Sequence, residues 1–95
     1  MVLAARELQP LTGRERSLDG GAVIGRAPSC DIRLGDPLVS RRHARVLSSE
    51  LGTGIEDLGS ANGVYVNGLR CERITPLHPG DVVQLGGTVW LVLGR

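Results

Sequence analysis

The chain has 95 residues, with eleven arginines, no lysine, 14 glycines, and only one Trp and one Tyr. This length fits a single small domain, which we expect to span residues 1–95, and it excludes a multidomain enzyme. The net charge of +1 is too small for a general binder of nucleic acids or membrane surfaces. No apolar run approaches the ~20 residues that cross a bilayer, and the N-terminal residues lack the features of a secretory signal. We therefore expect a cytoplasmic protein without membrane insertion.

Short apolar runs separated by glycine and proline predict strands, and no stretch has the periodicity of an amphipathic helix. In chain order, the predicted strands are residues 2–8, 15–18, 22–25, 32–34, 44–47, 54–57, 64–66, 69–73, 82–85 and 88–93. Asn67-Gly68 and Gly86-Gly87 are typical of hairpin turns, and residues 76–81 predict a rigid connection. About ten to eleven short strands at this spacing indicate an all-β sandwich of two packed, mostly antiparallel sheets.

The two cysteines, Cys30 and Cys71, do not form a metal-binding pattern with the two histidines, His43 and His78. Zinc sites usually contain closely spaced Cys or His pairs, and this chain has none. We expect both thiols to be reduced. We also expect the protein to bind neither a metal nor a cofactor.

Three short segments at predicted strand ends contain the residues best suited to binding an anion: Gly25-Arg26, Ser40-Arg41-Arg42-His43 and Ser60-Ala61-Asn62-Gly63. Residues 26–45 hold five arginines and two aspartates, a net charge of +3. Arginine offers a planar fork to phosphate, serine offers a hydroxyl, and asparagine can bind a peptide backbone through both ends of its amide. This combination indicates recognition of a small anionic group.

The pattern resembles the forkhead-associated (FHA) domain, a β-sandwich that binds phosphothreonine. The resemblance is carried by Gly25-Arg26, Ser40-x-x-His43 and Asn62-Gly63, followed by Asn67-Gly68 and Gly80-Asp81, and it spans roughly residues 2–93. It implies a phosphothreonine-containing protein partner and a functional link to a Ser/Thr protein kinase.

The resemblance also implies roles for four residues that would contact the phosphopeptide. Arg26 would reach the phosphate or the adjacent peptide backbone, and Ser40 would donate its hydroxyl and its backbone N–H to the phosphate. Arg41 would add positive charge. Asn62 would bind the peptide backbone beside the phosphothreonine.

Further positions would have secondary or supporting roles. Secondary binding positions are Leu38, Arg42, Ser60 and Ala61, with Leu38 helping to select side chains C-terminal to the phosphothreonine. Structural support would come from Gly25, His43, Gly63 and Asn67. Of these, His43 would connect the Ser40 loop to neighbouring backbone, and the glycines would allow backbone geometries that a Cβ would obstruct.

Ala61 departs from the pattern, because this family commonly has Ser or Thr immediately before the asparagine. That hydroxyl assists phosphate binding, and a hydrogen bond to a charged group contributes about 1.5–3 kcal/mol. The sequence therefore predicts weakened binding unless Ser60 or Arg41 compensates.

Two alternatives remain. Ser40, His43 and Asp57 have the residue types of a hydrolase triad, but Ser and His three residues apart on an extended chain point to opposite faces. Because no Gly-x-Ser-x-Gly motif accompanies them, we expect a protein that is not an enzyme. The second alternative is an FHA fold that binds an unphosphorylated partner through the same loops or through an exposed sheet face.

Overall fold

The structure, a computed structural model, describes residues 2–95 and contains two packed β-sheets. The strands are β1 (Leu3–Gln9), β2 (Glu15–Ser17), β3 (Val23–Gly25), β4 (Ile32–Arg33), β5 (Ala44–Ser49), β6 (Gly52–Asp57), β7 (Val64–Val66), β8 (Leu69–Arg70), β9 (Ile74–Leu77), β10 (Val82–Leu85) and β11 (Thr88–Gly94). Within residues 2–95 there is no helix that could cross a membrane. The all-β sandwich prediction is confirmed.

One sheet has six strands in the order β2-β1-β11-β10-β7-β8, and the other has five in the order β4-β3-β5-β6-β9. The pairing is antiparallel except between β3 and β4, where Ile24 lies opposite Ile32 in parallel register. Strands β2 and β4 are therefore edge strands, one in each sheet.

The core forms between the inner faces of the sheets. Alternate residues of β11, namely Thr88, Trp90 and Val92, point inward from the six-stranded sheet. They pack with apolar residues of the five-stranded sheet such as Ile24 and Ile55, which are fully buried. Full burial of an aliphatic side chain of this size stabilises a fold by about 1.5–3 kcal/mol, so these short strands depend on the contact between sheets.

The predictions for residues 69–81 were wrong in part. Strand β8 ends at Arg70 rather than Arg73, and residues 74–77, which include part of the predicted connection, form β9. The chain leaves the first sheet at the buried Cys71 and enters the second sheet at Ile74. Pro76 is tolerated because β9 is an edge strand, where a missing N–H need not remove a bond between strands.

Candidate functional site

The segment between β4 and β5 contains a tight turn held by Asp36. The Leu38 N–H donates to Asp36 Oδ1 at 2.9 Å. The Gly87 N–H and the Thr88 hydroxyl donate to Asp36 Oδ2 at 2.8 and 3.0 Å. One carboxylate therefore shapes the turn and attaches it to the β10–β11 hairpin, which places Ser40 on a supported loop.

Arg26 follows β3 and lies against this loop. Its backbone N–H donates to the Ser40 carbonyl at 3.0 Å, and its side-chain Nε donates to the Val39 carbonyl at 3.1 Å. The terminal guanidinium nitrogens make no hydrogen bond or ion pair with residues 2–95. The side chain is thus oriented through Nε and keeps its other donors for a ligand.

Ser40 joins the loop to the segment between β6 and β7. Its hydroxyl oxygen accepts a hydrogen bond from the Ala61 N–H at 3.0 Å. A hydroxyl that accepts in this way still has its own hydrogen to donate. Ser40 can therefore donate one hydrogen bond to an anion beside Arg26.

His43 supports the same loop from inside the protein, as predicted from the resemblance. The Ser40 N–H donates to His43 Nδ1 at 3.0 Å, and His43 Nε2 lies 2.7 Å from the Gly63 carbonyl oxygen. Because Nδ1 accepts, the ring is assigned as the neutral tautomer with its proton on Nε2. The Ser40 N–H is therefore engaged by His43, contrary to the expectation that it would contact phosphate. The backbone N–H of the next residue, Arg41, has no acceptor within the described chain.

Asn62 is exposed and lies beside the turn. Its Nδ2 donates to the Leu38 carbonyl at 2.8 Å. The second Nδ2 hydrogen and the Oδ1 acceptor remain for a ligand, so one peptide group could bind to both ends of the amide.

Gly25 permits the close approach of two loops. A Cβ at this position would lie 2.2 Å from the Arg41 carbonyl oxygen and 2.9 Å from Cys30 Sγ. The Cys30 thiol in turn donates to the Arg41 carbonyl at 3.1 Å. Glycine is required at position 25 by close packing, whereas at Gly63 a φ of +82° favours glycine directly.

The remaining predicted residues occupy different surroundings. Ser60 accepts from the Gly63 N–H at 2.9 Å and stabilises its own loop. Leu38 and Arg42 are exposed around the site. Asn67 lies apart from these loops at a φ of 52°, where it bonds to Asp81 and Val82. Asn67 was predicted to support the site, but its bonds join the β7–β8 turn to the start of β10, so its side chain stabilises that turn and not the site loops.

The site carries positive charge without nearby neutralisation. No acid of residues 2–95 lies within 4.0 Å of the Arg26, Arg41 or Arg42 guanidinium. The sequence did not indicate a fourth cation, Arg70, whose Nε would lie 3.1 Å from a Cβ built on Gly63. No group of acids, cysteines and histidines within residues 2–95 is arranged to hold a metal ion.

Sequence reasoning also missed Asp36 and Cys30. The Asp36-Pro37 dipeptide is a recognisable turn signal, but its bonds to the β10–β11 hairpin join residues about fifty positions apart in the chain. Cys30 had no local signal, because its contact with Arg41 depends on the tertiary approach of two loops.

Comparison with known proteins places this geometry in a family. The sequence profile of the FHA domain matches residues 22–86. A region of the ABC transporter ATP-binding/permease protein Rv1747 of Mycobacterium tuberculosis is 47% identical over 77 residues, which are 80% of this chain and 8% of that protein. The chain thus spans less than a tenth of that relative's length.

Two solved structures superimpose on nearly the whole of this chain. One, from a study of phosphothreonine-dependent FHA domain interactions, superimposes with a TM-score of 0.89 at 30% identity and covers 100% of this chain and 98% of its own. Mycobacterium tuberculosis EmbR, in complex with a low-affinity phosphopeptide, gives a TM-score of 0.89 at 29% identity and covers 97% of this chain and 24% of its own. With its matching profile, its two-sheet topology and its convergent loops, the chain belongs to the FHA domain family.

Proposed function

We propose that this FHA domain binds phosphothreonine in a partner protein and acts as a recognition module without catalytic activity. The observation that carries the proposal is the convergence of Arg26, Ser40 and Asn62 on one loop surface. The side chain of each makes a single hydrogen bond that fixes its position and retains donors for a ligand. The two structural relatives studied with phosphothreonine or a phosphopeptide support the same reading.

The chemistry of a phosphoryl group matches these donors. It carries about −1.5 to −2 charges near neutral pH and three acceptor oxygens. Arg26 offers its terminal nitrogens, Ser40 its hydroxyl, and the exposed Arg41 its side chain and its backbone N–H. Binding through so few contacts would be reversible, which suits a signalling module that follows a Ser/Thr kinase in the cytoplasm.

The surroundings of His43 support the absence of catalysis. Its side chain is 0% exposed, and both ring nitrogens are engaged by backbone groups. The ring contacts the backbone N–H of Ser40, not its hydroxyl. A general base must reach the proton that it removes, and this ring has no free nitrogen for that task.

Titration calorimetry with three versions of one peptide tests the proposal. The versions carry threonine, phosphothreonine or phosphoserine at the same position, and we expect the phosphothreonine version to bind most tightly. Arg26→Ala and Ser40→Ala should each weaken that binding about tenfold to a hundredfold, because each removes a hydrogen bond to a charged group. Asn62→Ala should weaken it less, since its contact is with neutral backbone.

Arg6→Ala provides a matched control. Arg6 is a half-buried arginine on β1 that pairs with Glu15 and makes no hydrogen bond to the site loops. Its removal should leave affinity unchanged. Equal binding of the threonine and phosphothreonine peptides would reject the proposal and favour an FHA fold that recognises an unphosphorylated partner.

A further inference from the structure

A groove of about 640 Å³ opens where the edge strands of the two sheets approach each other. Arg14 and Arg16 line it from the β2 side, and Arg33 lines it from β4. Gly87 and Thr88 of the β10–β11 hairpin form another part of its wall. This groove is distinct from the surface formed by Arg26, Ser40 and Asn62, none of which lines it.

The three arginines of the groove are not neutralised by ion pairs. No acid of residues 2–95 lies within 4.0 Å of any of them. The groove also contains two acids: Glu7, whose charge attracts Arg16 without forming an ion pair, and Asp36, whose two oxygens are both engaged in hydrogen bonds. Glu7 accepts from the Thr12 hydroxyl at 3.1 Å, and Asp36 accepts from backbone and hydroxyl donors.

Arg16 gives an independent indication that an anion is suited to this place. Its Nε is buried and has no hydrogen-bond partner within the described residues. Burial lowers the pKa of the Arg16 guanidinium, the neighbouring charge of Arg14 lowers it further, and the charge of Glu7 raises it. An anion in the groove would offset the repulsion between the two arginines.

The groove lies next to the proposed phosphothreonine site. Pro37 lines the groove, and the carbonyl of the next residue, Leu38, accepts a hydrogen bond from Asn62. Arg33, which also lines the groove, donates from its Nε to the Arg26 carbonyl at 3.2 Å. A peptide bound at the loops could therefore extend toward the groove.

We propose that this groove binds a second anionic group on the same partner chain, either an acidic side chain or a second phosphoryl group. The inference rests on the proposed function, since the phosphothreonine places the partner chain beside the groove. Arginine forks bind carboxylate and phosphate with the same two-bond geometry. The two shorter axes of the domain measure 27 and 26 Å. An extended residue spans about 3.3 Å, so about eight residues cross the domain along either axis, and we expect the second anion within about eight residues of the phosphothreonine.

Titration of two peptide series tests the inference. Each peptide carries one phosphothreonine and either a pair of glutamates or a second phosphothreonine, at about two to eight residues on either side. A peptide with neutral flanks serves as the reference. At the spacing that reaches the groove, we expect the added anion to tighten binding about threefold to tenfold, because partly exposed charge pairs contribute modestly.

The double variant R14Q/R16Q should abolish this gain and leave the neutral reference peptide unaffected. R73Q is the matched control, because Arg73 is exposed, makes no ion pair within the described chain and does not line the groove.

A gain in affinity from glutamate, phosphate or both supports the proposal of a second anion site and identifies the anion. Absence of a gain in affinity at every spacing, or a gain that persists in R14Q/R16Q, would overturn the proposal of a second anion site. The proposal of phosphothreonine binding would be unaffected. Failure of the neutral phosphothreonine peptide to bind would overturn both proposals.

Discussion

His43 shows how one buried residue can organise the loops at the surface above it. Its ring connects the Ser40 N–H with the Gly63 carbonyl, two groups on separate loops. Without the ring, both backbone groups would lose their partners, and a cavity would form beneath the site. An unsatisfied buried polar group costs about 1–3 kcal/mol, so the main effect of losing His43 should be on stability.

We predict that His43→Ala lowers the free energy of unfolding by about 3 kcal/mol, from the combined loss of packing and hydrogen bonds. Urea denaturation followed by Trp90 fluorescence measures this change, because Trp90 is buried in the core. Ser40→Ala is the control. It removes one partly exposed hydroxyl and should cost no more than about 1 kcal/mol. Equal stability of the two variants would contradict the role assigned to the ring.

Ala61 lies directly beside the Ser40 hydroxyl, because its backbone N–H donates to Ser40 Oγ. The side chain at position 61 is exposed, so a longer residue can be accommodated there. Ser60, the neighbouring residue with a hydroxyl, is half-buried, and the bond from the Gly63 N–H holds its side chain within its own loop. Position 61 is therefore a place where an added hydroxyl could reach a bound phosphate.

We predict that Ala61→Thr tightens binding of a phosphothreonine peptide by about tenfold, the gain expected from one hydrogen bond to a charged group. Ala61→Val is the matched control, because valine has nearly the shape of threonine and lacks the hydroxyl. Titration calorimetry compares the two variants with the unaltered domain. Equal tightening by Val and Thr would show that the gain comes from apolar contact instead.

At the scale of elements, the site depends on how closely the β3–β4 and β4–β5 loops approach. The Arg41 carbonyl occupies the space that a side chain at Gly25 would need, and it receives bonds from the Ala27 N–H at 3.0 Å and the Cys30 thiol at 3.1 Å. The backbone that positions Ser40 and Arg41 is thus packed directly on the end of β3.

Gly25→Ala should therefore disturb both stability and binding. The added Cβ would lie 2.2 Å from a backbone oxygen, and relieving such a clash in a packed region costs about 1–3 kcal/mol. We expect this loss in urea denaturation, together with weaker phosphopeptide binding. Gly35→Ala is the control, since a Cβ at Gly35 meets no atom within 4 Å and its φ is not positive. Unchanged stability in Gly25→Ala would contradict the close packing.

The elements differ in how well the sequence predicted them. The apolar run at residues 88–93 and the Asn67-Gly68 turn predicted β11 and the β7–β8 hairpin, because both signals are local. Strand β9 was missed because Pro76 normally argues against a strand, and only the complete sheet order shows that β9 lies at an edge. The family pattern predicted the residues that converge at the site. The Asp36 bonds and the arginine groove join distant segments and required the tertiary structure.

At the scale of the whole molecule, the arginines divide according to their partners. Three arginines form ion pairs with acids: Arg6, Arg45 and Arg95. Within the described residues, no ion pair is formed by the groove arginines (Arg14, Arg16 and Arg33) or by the arginines near the loops (Arg26, Arg41 and Arg42). A net charge of +1 conceals this arrangement. Unpaired cations concentrated in two neighbouring places suit a partner with separate anionic groups.

Two of the paired arginines, Arg6 and Arg95, stabilise the edge of the six-stranded sheet. Glu15 of β2 accepts from Arg6 of β1 at 2.8 Å and also from Arg95, which follows β11. These three residues connect three neighbouring strands, and the backbone of Arg95 bonds to that of Val2. The hydrogen bonds from Arg95, and secondly those from Arg6, lower the pKa of the Glu15 carboxyl below its usual value of 4.5.

The lowered pKa of Glu15 predicts that the stability of the domain depends on pH. Because the folded state favours ionised Glu15 more than the unfolded state does, its contribution is fully present above the unfolded pKa and is lost as the pH falls through the folded pKa. The difference in Tm between the unaltered domain and Glu15→Gln should therefore be constant near neutral pH and shrink below about pH 4.5. Thermal unfolding from about pH 7 to about pH 3 measures this difference in Tm at low salt, where exposed pairs are least screened.

Glu50→Gln is the control, because Glu50 is exposed and makes no hydrogen bond or ion pair through its side chain within residues 2–95. A difference that persists unchanged at low pH would show that the Glu15 charge does not stabilise this edge.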